Sequence, residues 1–184
     1  MADHSIDDHP DPAGELLIRQ RGNKANWKQL REFIRRLASE LAGAPFTVAI
    51  VSDAAIRRLN REFRQKDYAT DVLSFPSGPA GRSRSAKQPP ERAARQAGAA
   101  SLGDIVISAP TAARAAREHG WPLDDELQAL ALHGVLHLLD YDHESDRGQM
   151  ARAERLWGRR LGLSRTLIAR QYRKARRSPA RGSL

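Results

Sequence analysis

Three histidines lie within eleven residues of the chain, in the segment HGVLHLLDYDH at 133–143. On a helix, His133 and His137 stand four residues apart and project from one face, one turn above the other. His143 follows six residues later, and the intervening DYD segment is typical of a turn that brings the chain back toward the helix. Because neutral imidazole is the commonest zinc ligand, this spacing predicts a metal site formed by His133, His137 and His143.

The number of ligands indicates what kind of metal site this is. Structural zinc is normally held by four protein ligands, whereas three ligands leave one coordination position open for catalysis. The chain contains no cysteine, so thiolate ligands and a disulfide framework are excluded. A lone histidine in a buried helix is more often a core residue with a satisfied hydrogen bond, but three at this spacing favour one catalytic zinc ion per chain.

The same histidine spacing occurs in metzincin proteases, H-E-x-x-H-x-x-G-x-x-H, and two positions differ here. Gly134 occupies the place of the glutamate that serves as the general base in those enzymes. Asp140 occupies the place of the turn glycine, and aspartate tolerates the left-handed backbone conformation that a helix end requires. The missing glutamate disfavours peptide hydrolysis by the metzincin route.

The helix that carries His133 and His137 is predicted to begin near Asp124, where three consecutive acids complement the positive N-terminal end of the helix dipole. It continues through LQALALHGVLHLL, which is apolar on nearly every side, and a helix of that kind is buried. We therefore expect the metal site at the end of a buried helix.

The elements that must position this helix are strands and helices in alternation. Four apolar, β-branched segments predict strands, and four segments with helical periodicity or a serine cap predict further helices. The strands are LLIRQ (16–20), FTVAIV (46–51), TDVLSFP (70–76) and LGDIVIS (102–108). The helices run from Trp27 to a cap at Gly43, from a cap at Ser52 through Phe63, from a cap at Ser108 through TAARAAREHG, and through Met150, Leu156 and Trp157.

The polar segments divide the chain. Residues 1–14 are acidic and predicted to be disordered, and residues 15–164 are predicted to form one metallohydrolase domain. Within that domain, residues 77–100 have the Gly, Pro, Ser and Arg content of a surface insertion, and residues 165–184 form a basic tail. No apolar run is long enough for a membrane span and the N-terminus has no signal-peptide pattern, so we expect a cytoplasmic protein without membrane contact.

The charge of the chain is strongly positive and unevenly distributed. Lys and Arg number 31 against 22 Asp and Glu, a formal net charge of +9. Five of the acids lie in residues 1–15, which contain no base, so residues 16–184 carry +14. Solubility accounts for part of such an excess, but the balance favours a polyanionic partner such as nucleic acid.

The segment HGVLHLLDYDH resembles the motif of the YbeY family of bacterial metal-dependent endoribonucleases, approximately HGxLHLxGYDH, and differs from it only at Asp140. LNREFRQKDYATDVLSFP (59–76) and LGDIVIS (102–108) resemble the same family in the same order, so the resemblance spans about the central half of the chain. It implies a single α+β domain with a small mixed four-stranded sheet, about five helices, and a zinc ion on His133, His137 and His143.

The resemblance also implies an activity, the cleavage of single-stranded RNA in ribosomal RNA maturation and ribosome quality control. The implied partners are single-stranded RNA, ribosomal RNA and the small ribosomal subunit, together with a ribosome-assembly GTPase or ribosomal proteins. Arg64 matches the family's functional arginine, and we expect it in a loop at one end of the sheet, where its guanidinium can bind the charge that develops on a phosphate. The alternative for Arg64 is an ordinary surface salt bridge.

Several alternatives stay open at this point. The nucleophile is either water activated by zinc or the RNA 2′-hydroxyl. Asp140, Asp142 and Glu144 lie near His143 and are expected to orient a ligand or cap the turn rather than to act as the general base. Two other functions are a zinc hydrolase of peptides or small molecules, which the missing glutamate disfavours, and a non-catalytic ribosome-associated metal-binding protein, which the open coordination position disfavours.

Overall fold

A mixed sheet of four strands supports the histidine-bearing helix. The computed structural model describes residues 14–20, 24–77, 101–142 and 146–167. The strands are β1 (Glu15–Ile18), β2 (Thr47–Val51), β3 (Val72–Pro76) and β4 (Gly103–Ser108). They lie in the order β1-β2-β4-β3, with β1, β2 and β4 parallel and β3 antiparallel to β4. The predicted small mixed sheet is confirmed, and β3 forms one of its edges.

Five α-helices accompany the sheet within the described ranges, as predicted. They are α1 (Trp27–Arg36), α2 (Asp53–Arg64), α3 (Ala109–His119), α4 (Leu123–Leu138) and α5 (Gln149–Arg160). Serine side chains begin two of them: the hydroxyls of Ser52 and Ser108 each accept a hydrogen bond, at 3.3 Å, from the backbone N–H three residues later. This N-cap satisfies a helix donor that would otherwise lack a partner.

The end of the first helix differs in its hydrogen bonding from the predicted α-helix. The helix does extend to a left-handed Gly43, but residues Leu37–Ala42 form a π-helical turn, in which Gly43 N–H donates to the carbonyl of Ala38 at 2.8 Å. A π-turn contains more residues than an α-turn. Leu37, Ala38, Leu41 and Ala42 are all buried in it.

The two faces of the sheet are covered by different helices. Successive side chains of β4 point to opposite faces, so Ile105 and Ile107 join the larger hydrophobic cluster with α1 and α4. Val106 joins a smaller cluster with Leu73 of β3 and Ile56 of α2. Helices α2 and α4 thus both pack against β3 and β4, from opposite faces of the sheet.

Helix α4 is buried almost throughout. From Glu126 to Leu138 every residue is buried except His137, which is partly exposed. The helix ends in a turn where Asp140 adopts a positive φ of 64° and Tyr141 N–H donates to the carbonyl of Leu136 at 3.0 Å. The predicted left-handed position of Asp140 is therefore confirmed, as is the buried helix.

Parts of three predicted regions lie outside the described residues, namely most of residues 1–14, the insertion 77–100 and the tail 165–184. Thr166 and Leu167, which are described, are buried. None of the described helices combines the length and apolar character needed to cross a membrane.

Candidate metal centre and cleft

The imidazoles of His133 and His137 meet edge to face at the C-terminal part of α4. Their Nε2 atoms lie 3.2 Å apart, and their ring centroids are 4.7 Å apart at an interplanar angle of 78°. His133 is buried, with an exposed fraction of 6%. The i, i+4 spacing has the predicted effect, because one helical turn places both side chains on the same side of the helix.

The distance between these two nitrogens fits a shared metal ion. Two nitrogens bound to zinc at roughly 2.05 Å with tetrahedral geometry stand about 3.3 Å apart, close to the observed separation. Within the described ranges no group of three metal-ligating side chains is formed, and the predicted third ligand, His143, lies outside them. His133 and His137 therefore fit two positions of a tetrahedral ion, and His143 stays a prediction.

A buried carboxylate faces the outer side of the His133 ring. Oε2 of Glu154, on α5, lies 3.5 Å from Nδ1 of His133, and the Glu154 side chain is fully buried. A carboxylate at this position accepts a hydrogen bond from Nδ1–H and makes Nε2 the ligand atom, the usual arrangement behind a metal-binding histidine. Sequence reasoning did not identify Glu154, although it shares a face of α5 with the buried Met150 and Trp157, and a carboxylate at a core position is a recognisable signal.

Gly134 is required by close packing between α4 and β4. A Cβ atom at this position would lie 2.7 Å from Cγ2 of Ile105, and the Gly134 carbonyl accepts a hydrogen bond from Ser74 Oγ at 3.2 Å. The side of the helix where a metzincin carries its catalytic glutamate thus faces the sheet, with no room for a side chain. This geometry supports the prediction that the chain does not use the metzincin route.

The imidazole pair opens into a cleft of about 570 Å³. One wall is the chain from the end of α2 through β3, and the other is the end of α4. The lining comprises Arg64, Lys66, Tyr68, Thr70, Asp71, Val72, Leu73, Ser74, Pro76, His133, His137, Asp142 and Leu167. The predicted residues Arg64, His133 and His137 are therefore brought together in one cleft.

Two basic side chains, Arg64 and Lys66, line this cleft together with the carboxylates of Asp71 and Asp142. Arg64 is the last residue of α2 rather than a loop residue, since the helix extends one residue beyond Phe63 before Gln65 takes a left-handed conformation. Among the described residues, neither Arg64 nor Lys66 forms an ion pair. The salt-bridge alternative for Arg64 is not supported there, and both cations are available to an anionic ligand.

Interactions with α2 hold the loop that follows Arg64. Asp67 accepts two hydrogen bonds from the guanidinium of Arg57, at 2.9 and 2.8 Å. The buried Asn60 donates from Nδ2 to the backbone carbonyl of Tyr68 at 2.9 Å, and the Asn60 backbone carbonyl accepts from Lys66 N–H at 3.2 Å. The loop is therefore fixed on the helix at three successive residues, Lys66, Asp67 and Tyr68.

The acids near the end of α4 take different positions. Asp140 forms the left-handed turn, as expected, and Asp142 lines the cleft. Glu144 lies outside the described residues. Asp71, which the sequence did not single out, also lines the cleft, and its Oδ1 accepts a hydrogen bond from its neighbour Val72 N–H at 3.0 Å.

Comparison with known proteins gives consistent matches to one family. The family model described as "Endoribonuclease YbeY" matches residues 17–162. A protein named Endoribonuclease YbeY from Solibacter usitatus is 49% identical over 142 residues, which cover 77% of this chain and 83% of that protein. The protein of the same name from Nautilia profundicola is 42% identical over 121 residues, covering 66% of this chain and 75% of that protein.

A solved structure has the same fold. The solution structure of TM1509 from Thermotoga maritima is similar to this chain with a TM-score of 0.50 and 22% sequence identity. The similarity covers 92% of this chain and 99% of that one. The chain thus shares its overall fold with a protein of known structure.

Proposed function

Since this chain belongs to the YbeY family and is therefore an RNA endonuclease, we propose that it cuts single-stranded RNA with the help of one zinc ion held by His133, His137 and His143. We further propose that its biological substrate is ribosomal RNA, during ribosomal RNA maturation and ribosome quality control. The zinc ion, its third ligand and the ribosomal substrate are the parts of this proposal that go beyond family membership.

One observation carries the proposal of a metal ion. The Nε2 atoms of two imidazoles lie 3.2 Å apart beside a cleft whose other wall carries Arg64 and Lys66. Two imidazoles converging on one point suit a divalent cation, and two cations that form no ion pair among the described residues suit the phosphate of a nucleic acid. The juxtaposition of both sites in one cleft supports a reaction at a phosphodiester.

The roles of the residues follow from their positions. His133, His137 and His143 would hold the zinc ion, which would supply Lewis-acid chemistry toward a phosphoryl oxygen or a water molecule. Arg64 binds the phosphate with a planar, permanently charged fork and offsets the negative charge that develops on its oxygens. Glu154 holds the ring of His133. The hydrogen bond from Ser74 to the Gly134 carbonyl joins the α4 wall of the cleft to β3.

The proposed partners are ribosomal RNA and the small ribosomal subunit, together with a ribosome-assembly GTPase or ribosomal proteins, and the proposed location is the cytoplasm. The net charge of +9 supports a polyanionic partner, because Lys and Arg release condensed counterions when they bind RNA. Binding to RNA is therefore expected to weaken steeply as the salt concentration rises.

The proposal is tested by combining elemental analysis with RNA cleavage on the full chain. We expect about one zinc ion per chain, and cleavage of a single-stranded RNA that His137→Ala abolishes together with most of the bound metal. His119→Ala is the matched control, because His119 is exposed on α3 and does not line the cleft. Its metal content and cleavage rate are expected to equal those of the wild type.

The predicted third ligand, His143, is tested by a further variant in the same experiment. His143→Ala is expected to lose as much metal as His137→Ala. Full metal occupancy in His143→Ala contradicts the three-histidine ligand set, and RNA cleavage by a metal-free protein contradicts the metal dependence itself.

A further inference from the structure

Tyr68 is a large aromatic side chain exposed at the mouth of the cleft. Its exposed fraction is 55%, and it lines the cleft together with Arg64, Lys66 and the two imidazoles. Within the described part of the chain, no aromatic ring or cation packs against the ring of Tyr68. An exposed aromatic ring beside a binding site offers a ligand a planar, apolar face on which to stack.

The backbone that carries Tyr68 is fixed. Its carbonyl accepts a hydrogen bond from Asn60, whose exposed fraction is 1%, and the preceding Asp67 is held by two hydrogen bonds from Arg57. A tyrosine has two side-chain torsions, so a ring on such a backbone loses little conformational entropy on binding. The ring is therefore presented to the cleft before any ligand arrives.

The neighbouring charges define the kind of ligand that fits. Arg64 and Lys66 suit phosphate groups, and an aromatic ring close to them suits a planar base. A single-stranded nucleic acid offers both, because its unpaired bases expose their faces and its phosphates are spaced along the chain. In a duplex the faces of the bases are already stacked on one another and cannot reach the ring.

We propose that Tyr68 is a stacking platform for one unpaired nucleobase of the RNA, next to the phosphate that Arg64 and Lys66 bind. This inference rests on the proposed function, whose site it extends by a nucleobase subsite. The platform provides a physical reason for a preference for single strands: the enzyme gains a stacking contact only from a nucleotide whose base is unpaired.

A second exposed aromatic residue provides the contrast. Phe63 has an exposed fraction of 60%, but its ring already contacts Phe75 edge to face at 5.1 Å and does not line the cleft. Phe63→Ala therefore removes a comparable exposed ring outside the proposed subsite. It is the matched control for substitutions of Tyr68.

The test measures the binding of a short, fluorescently labelled single-stranded RNA by anisotropy, with the probe shown to be intact on a gel. We expect Tyr68→Ala to weaken binding about tenfold, the usual scale for one base stacked on an aromatic ring. Tyr68→Phe keeps the ring and is expected to bind like the wild type, whereas Tyr68→Leu keeps apolar surface without a planar face and is expected to bind like Tyr68→Ala. Phe63→Ala is expected to bind like the wild type.

A second measurement locates the base. A series of RNAs, each lacking one base but keeping every phosphate, is expected to contain one member that the wild type binds clearly more weakly. Tyr68→Ala is expected to bind that member and the intact RNA equally well. A penalty for the missing base that persists in Tyr68→Ala overturns the stacking contact, and so does a loss of binding in Tyr68→Phe equal to that in Tyr68→Ala.

The outcomes also separate this inference from the function on which it rests. If the wild-type protein neither binds nor cuts single-stranded RNA, the proposed function fails. If it binds and cuts single-stranded RNA but Tyr68→Ala matches it on every probe, only the nucleobase subsite is wrong.

Discussion

Oε2 of Glu154 lies 3.5 Å from Nδ1 of His133, and both side chains are buried. The carboxylate therefore favours the imidazole tautomer that carries its proton on Nδ1, with the lone pair of Nε2 directed toward His137. Nε2 of His137 lies 3.2 Å from Nε2 of His133. The orientation of the His133 imidazole on α4 is thus determined by Glu154, a residue on α5.

Glu154→Gln is expected to weaken zinc binding about 10- to 100-fold, the usual effect of altering the carboxylate behind a ligating histidine. The substitution keeps the shape of the side chain and removes its charge. Zinc affinity is measured by competition with a chromophoric chelator, and the nitrogen chemical shifts of His133 in the metal-free protein report its tautomer. Glu118→Gln, on the exposed side of α3, is the control. Wild-type zinc affinity together with unchanged shifts in Glu154→Gln contradicts the positioning role.

Arg64→Ala is expected to leave metal content and thermal stability nearly intact while RNA cleavage falls about a hundredfold or more, the scale for removing one donor to a transition-state charge. Arg64→Lys is expected to restore little, because a point charge on a flexible stem does not reproduce a bidentate fork. Arg58→Ala is the matched control, since Arg58 is exposed on the same helix and does not line the cleft. The measurement is single-turnover cleavage at saturating RNA and equal metal occupancy. A wild-type rate in Arg64→Ala assigns the charge-stabilising role to another group.

Gly134→Ala is expected to destabilise the fold, because the new Cβ would lie 2.7 Å from Cγ2 of Ile105. Overpacking of this kind costs about 1–3 kcal/mol, and the better helix propensity of alanine offsets about 1 kcal/mol of that cost. Denaturant unfolding measures the net loss. Ile105→Ala removes the atoms in the way, so the effect of Gly134→Ala should be smaller in that background. Additive losses in the double variant contradict the steric explanation.

Asp53 links the beginnings of α2 and α3 and gives the fold a pH dependence. Burial raises the pKa of Asp53, but hydrogen bonds from Ser108, Thr111 and Arg114 together outweigh burial and hold that pKa below its ordinary value. Because the pKa of Asp53 is lower in the folded than in the unfolded state, its ionised form stabilises the fold at any pH above the unfolded-state pKa of about 3.9. This stabilisation is lost as the pH falls through the folded-state pKa.

Asp53→Asn is therefore expected to lower the free energy of unfolding at neutral pH and to approach the wild type below a pH of about 4. Thermal melting across this pH range measures the difference. Asp104→Asn, at an exposed position on β4, is the control. A difference between Asp53→Asn and the wild type that stays constant with pH assigns the effect to lost packing instead of lost charge.

The sequence predicts the parts of the site that depend on local periodicity. His133 and His137 lie on the same face of α4 because they are four residues apart, and the burial of α4 follows from its apolar sequence. The left-handed turn at Asp140 and the serine caps likewise depend on residues only a few positions apart. Each of these predictions is confirmed.

The parts that the sequence does not predict depend on contacts between distant residues. Glu154 lies 21 residues from His133, so only the packing of α5 on α4 brings the two side chains together. Similarly, the position of Tyr68 in the cleft depends on the hydrogen bond that Asn60 donates to the Tyr68 carbonyl. The need for glycine at 134 depends on Ile105 in another strand.

The hydrogen bond between Ser74 Oγ and the Gly134 carbonyl joins segments 60 residues apart in the chain, which has a consequence for the protein's synthesis. A chain elongates at roughly 5–20 residues per second. The wall with Arg64 and Lys66 therefore leaves the ribosome several seconds before the imidazoles that face it, and Glu154 follows later still. The complete cleft therefore forms only after α4 and α5 have emerged, because its second wall and the carboxylate behind His133 follow the first wall in the chain.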